Sequence, residues 1–345
     1  EITLQRALDG LYYDGSSWGS TITWLRAFGT TAWSLPFTPT IEARYTVRSK
    51  ATDRCDNVQS VYGEGTFTYD ATAPGQSFNL SVMPSGWNRT NSFTLTWSNP
   101  ADLSGIVAAH YKWDTAPTGN SDESPGSPVG REGIQSISRL AVPTQGTHQL
   151  HLWLEDAAGN LDFQNRTATN EEAFKWDAVP PATSIASLGG SQGCAGWYTS
   201  TVQVNLSALD VNPDPGTINA TSGISATFWR QDGGSWQRAL TPTFQITGEG
   251  AHTVEYYSVD VAGNSEISKV ISPQVKIDTV PPTTNPPSYT GTLGRNGWYT
   301  STVSVALTAV DATSGVSATY HQVNTSTFEL GKVFYLTTDG VYTIR

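Results

Sequence analysis

The sequence predicts an all-β chain of tandem β-sandwich domains in an extended rod, and three observations carry the prediction. Short phrases recur in one order at intervals of about 100 residues, the usual size of a β-sandwich domain. Between them, apolar residues alternate with polar ones, as in half-buried antiparallel strands. No segment longer than about two turns has a helical period, so we expect almost no helix.

The recurring phrases place the repeat boundaries. One phrase opens a repeat with Gly-Trp, a second follows a late strand as Asp-x-x-x-Asn, and a third closes it with aspartate and proline. They occur at Trp87, Trp197 and Trp298; at 53–57, 156–160 and 260–264; and at 70–74, 177–181 and 278–282. The register predicts complete repeats at 74–180 and 181–281, and partial ones at 1–73 (later strands) and 282–345 (earlier strands). We expect the chain to be a segment of a longer protein.

Alternation inside each repeat identifies the strands. Apolar positions two residues apart follow the Trp phrase and precede the Asp-x-x-x-Asn phrase; they include Phe93, Leu95, Trp97, Leu150, Leu152, Leu154, Val202, Val204, Leu206, Val303, Val305 and Leu307. Several short strands in about 100 residues are typical of an immunoglobulin-like sandwich of two sheets. Prolines at the repeat ends restrict the chain there, which favours short, stiff linkers.

The strings Gly-Trp-Tyr-Thr-Ser-Thr-Val, Ser-Gly-Val/Ile-Ser-Ala-Thr, Asp-x-Ala-Gly-Asn and Ile-Asp-Thr-Val-Pro-Pro together resemble the bacterial Ig-like repeats of large cell-surface proteins. The resemblance covers nearly the whole chain. It implies an extracellular or cell-surface, elongated protein with an adhesive or scaffolding role, and it implies no ligand. Two segments depart from the pattern: Arg54, Cys55 and Asp56 replace small residues before Asn57, and a Pro/Gly/Ser-rich insertion occupies 117–133.

Composition and charge exclude some partners. Charged residues make up 14% of the chain, against about 25% in typical soluble domains. The net charge is −11 with no cluster of Lys or Arg, which argues against nucleic acid and anionic membranes as partners. No apolar run is long enough to span a bilayer, so we expect no membrane insertion in this segment.

The histidines and the motif search argue against catalysis. His148 and His252 fall at one repeat position, where the other repeats have Tyr45 and Tyr342. A position that accepts either residue suits a side chain that packs flat and bonds backbone, like a tyrosine corner. No nucleophile elbow, zinc-protease motif or Cys/His cluster with ligand spacing is present. The chain is therefore predicted not to be an enzyme.

Carboxylates offer a candidate metal site. In such a sandwich, the loops after the second and sixth strands lie at the pole where the preceding linker arrives. That would bring Asp70 near Asp102, Asp156 and Asn160, and it would bring Asp177 near Asp210, Asp260 and Asn264. Such oxygen ligands suit Ca²⁺, which would stiffen the joint. The alternative is that these residues only satisfy the backbone of their own turns.

Tryptophans and cysteines leave alternatives open. The recurrent Trp87, Trp197 and Trp298 are expected to be packing anchors. Packing is also favoured over sugar stacking for the unrepeated ones, Trp18, Trp24, Trp33, Trp113, Trp153, Trp229 and Trp236. Cys55 and Cys194 lie a whole repeat apart, too far for a mutual disulfide. Each is either a free thiol or pairs with a cysteine outside this chain.

The favoured function is a non-catalytic structural rod or scaffold segment of a bacterial cell-surface protein, sheath or extracellular filament. One alternative is an adhesin or carbohydrate-binding stalk, which a cluster of exposed Trp would favour. Another is a set of accessory domains of a secreted enzyme, which would need a catalytic domain elsewhere. The expected partners are neighbouring copies or other surface proteins, with glycans as the further candidate.

Overall fold

The computed structural model describes residues 1–211, 221–239 and 243–345. In these residues all regular elements are strands except one turn of 3-10 helix at Phe163–Asn165. The described residues form two compact units, one made of 1–178 with 221–222 and one made of 179–211 with 223–345. No helix in the described residues has the length and apolar character needed to cross a membrane.

The first repeat forms a single antiparallel sheet in the first unit. Its five strands are β1 (Ile2–Arg6), β2 (Tyr12–Tyr13), β3 (Trp18–Gly19), β4 (Ala43–Ser49) and β5 (Gly63–Tyr69), in the order β3-β2-β1-β4-β5. Tyr45, at the middle of β4, is fully buried. It packs against Trp18, Phe37 and Phe67, so aromatic rings supply most of this small core.

The second repeat also lies in the first unit and forms three sheets. The strands are β6 (Phe78–Met83), β7 (Trp87–Asn88), β8 (Phe93–Ser98), β9 (Ile106–Trp113), β10 (Val129–Gly130), β11 (Ser136–Leu140), β12 (Gly146–His148), β13 (Leu150–Asp156), β14 (Thr167–Ala168) and β15 (Phe174–Trp176). Their orders are β11-β8-β6, β10-β9-β13-β14 and β12-β15-β7. The β15–β7 pair is parallel.

The alternating apolar residues of this repeat build the core between its sheets. Phe93 and Leu95 on β8 and Leu150 and Leu152 on β13 are at most 1% exposed, while intervening residues such as Thr94 point away from the core. Each such side chain contributes roughly 1.5–3 kcal/mol by leaving water. A one-residue register shift would turn these side chains away from the core and onto the outer faces of the sheets. The period of two therefore determines the register.

The third repeat lies in the second unit. Its strands are β16 (Ala182–Gly189), β17 (Trp197–Tyr198), β18 (Val202–Leu209), β19 (Ile224–Gln231), β20 (Gln237–Ala239), β21 (Thr243–Ile246), β22 (Gly250–His252), β23 (Val254–Asp260), β24 (Lys269–Val270) and β25 (Val275–Ile277). The sheet orders are β16-β18-β21, β20-β19-β23-β24 and β17-β25-β22. This is the strand arrangement of the second repeat.

The fourth repeat completes the second unit with shorter strands. They are β26 (Thr283–Thr284), β27 (Ser288–Thr290), β28 (Val303–Ala306), β29 (Ala309–Val310), β30 (Tyr320–His321), β31 (Glu329–Leu330) and β32 (Val333–Leu336). They pair as β27-β28-β32, β26-β29 and β30-β31. The all-β, immunoglobulin-like prediction is confirmed, whereas the exact repeat boundaries and the extended rod remain predictions.

Candidate functional site

At one position of each repeat, a Tyr or His side chain forms a hydrogen bond with the backbone carbonyl oxygen four residues earlier in the chain. The pairs are Tyr45 Oη to Ile41 O (2.5 Å), His148 Nε2 to Thr144 O (2.8 Å), His252 Nε2 to Gly248 O (3.1 Å) and Tyr342 Oη to Thr338 O (2.6 Å). The corner interpretation of the two histidines is confirmed. A ring nitrogen and a phenol oxygen reach the same acceptor because both stand at the end of a flat ring.

The histidines add a contact that tyrosine lacks. His148 Nδ1 lies 2.9 Å from the Asp114 carboxylate, and His252 Nδ1 lies 2.8 Å from that of Asp232. Both aspartates have positive φ, 63° and 52°, at the turn that leaves the facing strand. Burial alone would raise the pKa of Asp232, but hydrogen bonds from His252 and the Thr253 amide hold this pKa below its usual value. The corner thereby ties two loops together.

The Asp-x-x-x-Asn phrase forms one turn wherever it occurs. The aspartate Oδ1 accepts a hydrogen bond from the backbone N–H of the asparagine, and Oδ2 accepts one from the asparagine side-chain Nδ2. These distances are 2.9 and 2.8 Å at Asp53–Asn57, 2.8 and 2.7 Å at Asp156–Asn160, and 2.7 and 2.8 Å at Asp260–Asn264. The fourth position has positive φ, which suits Gly159 and Gly263, whereas Asp56 occupies it in the first repeat. This confirms that the phrase satisfies its own backbone.

A linker aspartate accepts the amide of a serine in the loop after the second strand of the following repeat. The distances from Oδ2 to the amide nitrogen are 3.0 Å for Asp70–Ser104, 2.8 Å for Asp177–Ser222 and 3.1 Å for Asp278–Ser314. Asp177 and Ser222 both belong to the first unit. A hydrogen bond from the Ser314 hydroxyl, together with those from the Val280 and Ser314 amides, lowers the pKa of Asp278. Sequence reasoning missed these serines, although a recurring Ser-Gly pair marks all three.

The linker before the second repeat is fixed by further bonds. Asn160 Nδ2 donates to Asp70 O (3.2 Å), Asn165 Nδ2 to Pro74 O (2.8 Å) and Thr167 Oγ1 to Ser77 O (2.7 Å). The residues from the loop after β13 to the start of β14 therefore bond the incoming chain at three places, 70, 74 and 77.

The structure brings Asp70, Asp102 and Asp156 together, with one carboxylate oxygen of each within 4.8 Å of the others. Asp156 is 1% exposed. Asp102 Oδ1 accepts the Ser104 and Gly105 amides at 3.1 and 2.9 Å. The donor set fits Ca²⁺, which prefers carboxylate oxygens, but the same bonds are those of ordinary turns. Calcium binding at these residues stays a prediction.

The second predicted set is divided between the two compact units. Asp177 belongs to the first unit, whereas Asp210, Asp260 and Asn264 belong to the second. Asp210 Oδ2 accepts the Gly223 amide at 2.6 Å. Their shared role as metal ligands stays a prediction.

The tryptophans follow the packing interpretation in most places. Trp113 and Trp153 are buried, and Trp18, Trp24, Trp87, Trp197, Trp229 and Trp236 are half-buried. Trp298 departs from its repeat equivalents because it is 58% exposed, and Trp33 is 49% exposed. Cys55 and Cys194 are both exposed and free of any disulfide in the structure.

Comparison with known proteins adds little to this geometry. No protein-family model and no curated protein matches the chain. Among solved structures, it is similar to fibronectin(III)-like modules of Clostridium thermocellum CbhA (12% identity, TM-score 0.24, 60% of this chain and 93% of that one). It is also similar to the FN1–FN3 domains of chicken CNTN1 (11% identity, TM-score 0.24, 79% and 88%). At that TM-score neither similarity carries a conclusion, and the β-sandwich assignment rests on the strand pairing.

Proposed function

We propose that the chain is a non-catalytic structural segment, a stiff rod of sandwich domains in a bacterial cell-surface or extracellular protein. The observation that carries the proposal is the fixed linker. Residues 70–77, the linker and the first residues of the second repeat, are held by Ser104, Asn160, Asn165 and Thr167 of that repeat. A linker bonded along its length loses the freedom that would let neighbouring domains bend, which is what a spacer requires.

Small-angle scattering of the chain tests the rod. We expect an elongated particle, and we expect the double variant Asp70→Ala, Asn165→Ala to broaden its distance distribution, because two of the linker bonds are lost. Asn170→Ala changes an exposed side chain outside the linker and serves as the matched control. A compact particle, or equal broadening in the control, contradicts the proposal.

We also propose that Asp70, Asp102 and Asp156 bind Ca²⁺ and so stiffen the joint further. Three carboxylates within 4.8 Å repel one another, and no ion pair to Lys or Arg neutralises them in the described part of the chain. A bound cation would offset this repulsion and stabilise the native state.

Thermal melting with calcium and with chelator tests the cation. Saturating Ca²⁺ is expected to raise the Tm by at least about 3 °C. Asp156→Asn should abolish the shift, whereas Asp53→Asn, which alters the same turn in the first repeat outside any such cluster, should preserve it. Equal Tm with and without chelator rejects the site.

A second candidate function is glycan binding by the first repeat. Trp33, Val47, Ser49 and Phe67 line an open groove of about 440 Å³ together with Gly63 and Gly65. Trp33 and Phe67 are 49% and 38% exposed, so their rings are accessible for stacking on a sugar. Trp33→Ala should abolish retention on a polysaccharide that retains the unaltered chain, while Trp298→Ala should not. The enzyme-accessory alternative depends on domains outside this chain and stays a prediction.

A further inference from the structure

The second and third repeats carry equivalent aromatic pairs on the outer face of their four-stranded sheets. In the second, His110 on β9 faces Trp153 on β13, with ring centroids 5.8 Å apart. In the third, Phe228 on β19 stacks on Tyr257 on β23 at 5.1 Å. The positions match because Trp153 and Tyr257 each stand three residues before the aspartate of the recurring turn.

The second repeat covers its own pair. His110 and Trp153 are 4% and 1% exposed. The inserted segment between β9 and β10 contacts this face through Glu123, 2.8 Å from His110 Nδ1, and through Asp122, 2.7 Å from Lys112 Nζ.

The same segment then reaches past β13. Asn120 Nδ2 donates to Leu161 O at 2.8 Å, and Asn120 Oδ1 accepts the Phe163 amide at 2.9 Å. Residues 120–123 therefore lie across the outer face from β9 to the loop after β13, with the Glu123 and Asp122 carboxylates against His110 and Lys112 of β9.

The third repeat leaves its pair accessible. A short turn joins β19 to β20, and Phe228, Tyr257 and Trp236 all remain half-exposed. Trp236 meets Tyr257 edge-on at 4.7 Å, and the Arg230 guanidinium lies 4.6 Å from the Trp236 ring.

Of the two arginines at this face, Arg238 supplies the unpaired positive charge. Arg230 is held by Glu255 through two bonds of 2.9 and 2.7 Å. Exposed Arg238 stands beside Phe228 in the register. It donates to Ser225 O and pairs with no carboxylate in the described residues.

We propose that this face of the third repeat, formed by Phe228, Tyr257, Trp236 and Arg238, binds an acidic, proline-containing segment of another protein. The second repeat shows which chemistry an equivalent face accepts. The covering segment, residues 114–128, contains three prolines and no Lys or Arg, and two of its three carboxylates, those of Asp122 and Glu123, bond this face. Proline-rich chains lose little entropy on docking and pack well on aromatic rings, and Arg238 supplies the charge that a partner carboxylate needs. The binding function is independent of the rod and goes beyond it.

A synthetic peptide of residues 114–128 tests the proposal by fluorescence anisotropy with the whole chain. We expect weak but saturable binding, because the natural insertion gains from its tethering to the second repeat. A peptide with Asp114, Asp122 and Glu123 replaced by their amides should bind at least about fivefold more weakly. That comparison leaves the protein unaltered.

Protein variants locate the binding face. Tyr257→Ser and Arg238→Glu should each raise the Kd for the peptide by at least about fivefold. Circular dichroism should show that both variants keep the fold. Arg295→Glu, an equal charge change at an exposed site in the fourth repeat, should not raise the Kd. Absence of binding at millimolar peptide, or equal losses in the control, overturns the proposal. Binding of a neutral oligosaccharide instead of the peptide, abolished by Trp236→Ala, also overturns it.

Discussion

Residues 74–180 and 181–281 share one strand order but differ in what fills and covers it. The second repeat buries a core cluster of fifteen residues that includes Trp97 and Trp113, whereas ten described residues form the cluster of the third. The inserted loop covers the outer sheet face of the second repeat only. The comparison teaches that recurring turns and alternation determine the topology, while side-chain volume and loop cover determine how much each repeat gains from it.

Core truncation should give the largest effect. Leu150 and Val254 are repeat equivalents and both are 0% exposed. Leu150→Ala should cost about 3–4 kcal/mol of unfolding free energy and Val254→Ala about 2, because leucine leaves the larger cavity. Urea unfolding followed by tryptophan fluorescence measures both. An equal or larger loss for Val254→Ala would contradict the ranking by side-chain volume.

The shared turn should contribute alike to both repeats. Asp156 and Asp260 are 1% and 2% exposed and make the same two bonds to asparagine. Replacing either aspartate by Ala should lower the free energy of unfolding by about 2 kcal/mol, because buried hydrogen-bond donors lose their acceptor. Asp53→Ala, in an exposed copy of the turn, should cost less than about 1 kcal/mol. Chemical denaturation of the three variants checks this, and a large difference between Asp156 and Asp260 would show that the turn is not a common element.

Exchanging the outer-face residues sharpens the comparison of loop cover. His110 Nε2 also lies 2.9 Å from the Glu155 carboxylate. His110→Phe places the third repeat's residue in the second and removes the contacts of His110 with Glu123 and Glu155. We expect a loss of about 1–2 kcal/mol and faster amide hydrogen exchange in residues 117–128. The reciprocal Phe228→His should cost less than about 1 kcal/mol, because its site is half-exposed. Unchanged exchange in His110→Phe would show that His110 does not hold the insertion.

The smallest effect concerns Glu266, a carboxylate of the third repeat. Burial would raise the pKa of Glu266, but bonds from Lys269 and from the Thr183 and Ser258 amides lower it overall. A depressed folded-state pKa stabilises fully above the unfolded value, about 4.3, and this contribution disappears as pH falls through the folded pKa.

Glu266→Gln should therefore lower the free energy of unfolding by about 1 kcal/mol at pH 7. It should also make stability fall less steeply as the pH is lowered toward 3. Glu132→Gln alters an exposed carboxylate of the second repeat and is the control. Melting temperatures measured from pH 3 to pH 7 decide the matter. The prediction fails if the variant and the unaltered chain lose stability in parallel as the pH falls.

Recurrence and alternation carried most of what could be predicted. The Asp-x-x-x-Asn turn and the His/Tyr corner involve bonds over four residues, so sequence spacing contains them. The meeting of Asp70, Asp102 and Asp156 followed from the loop positions of a known architecture. The serine amides that receive the linker aspartates did not, because a Ser-Gly pair looks like any turn until the loop is placed against the linker.

The sequence by itself determined the all-β class, the strand register and the local turns, because each depends on alternation or on groups a few residues apart. Tertiary structure decided that Trp153 is buried and Tyr257 half-exposed at one repeat position. It also decided that Trp298 is exposed although its equivalents are half-buried, and that Glu123 reaches His110. These outcomes depend on which distant segment covers a side chain, and residue type at a position does not specify its cover.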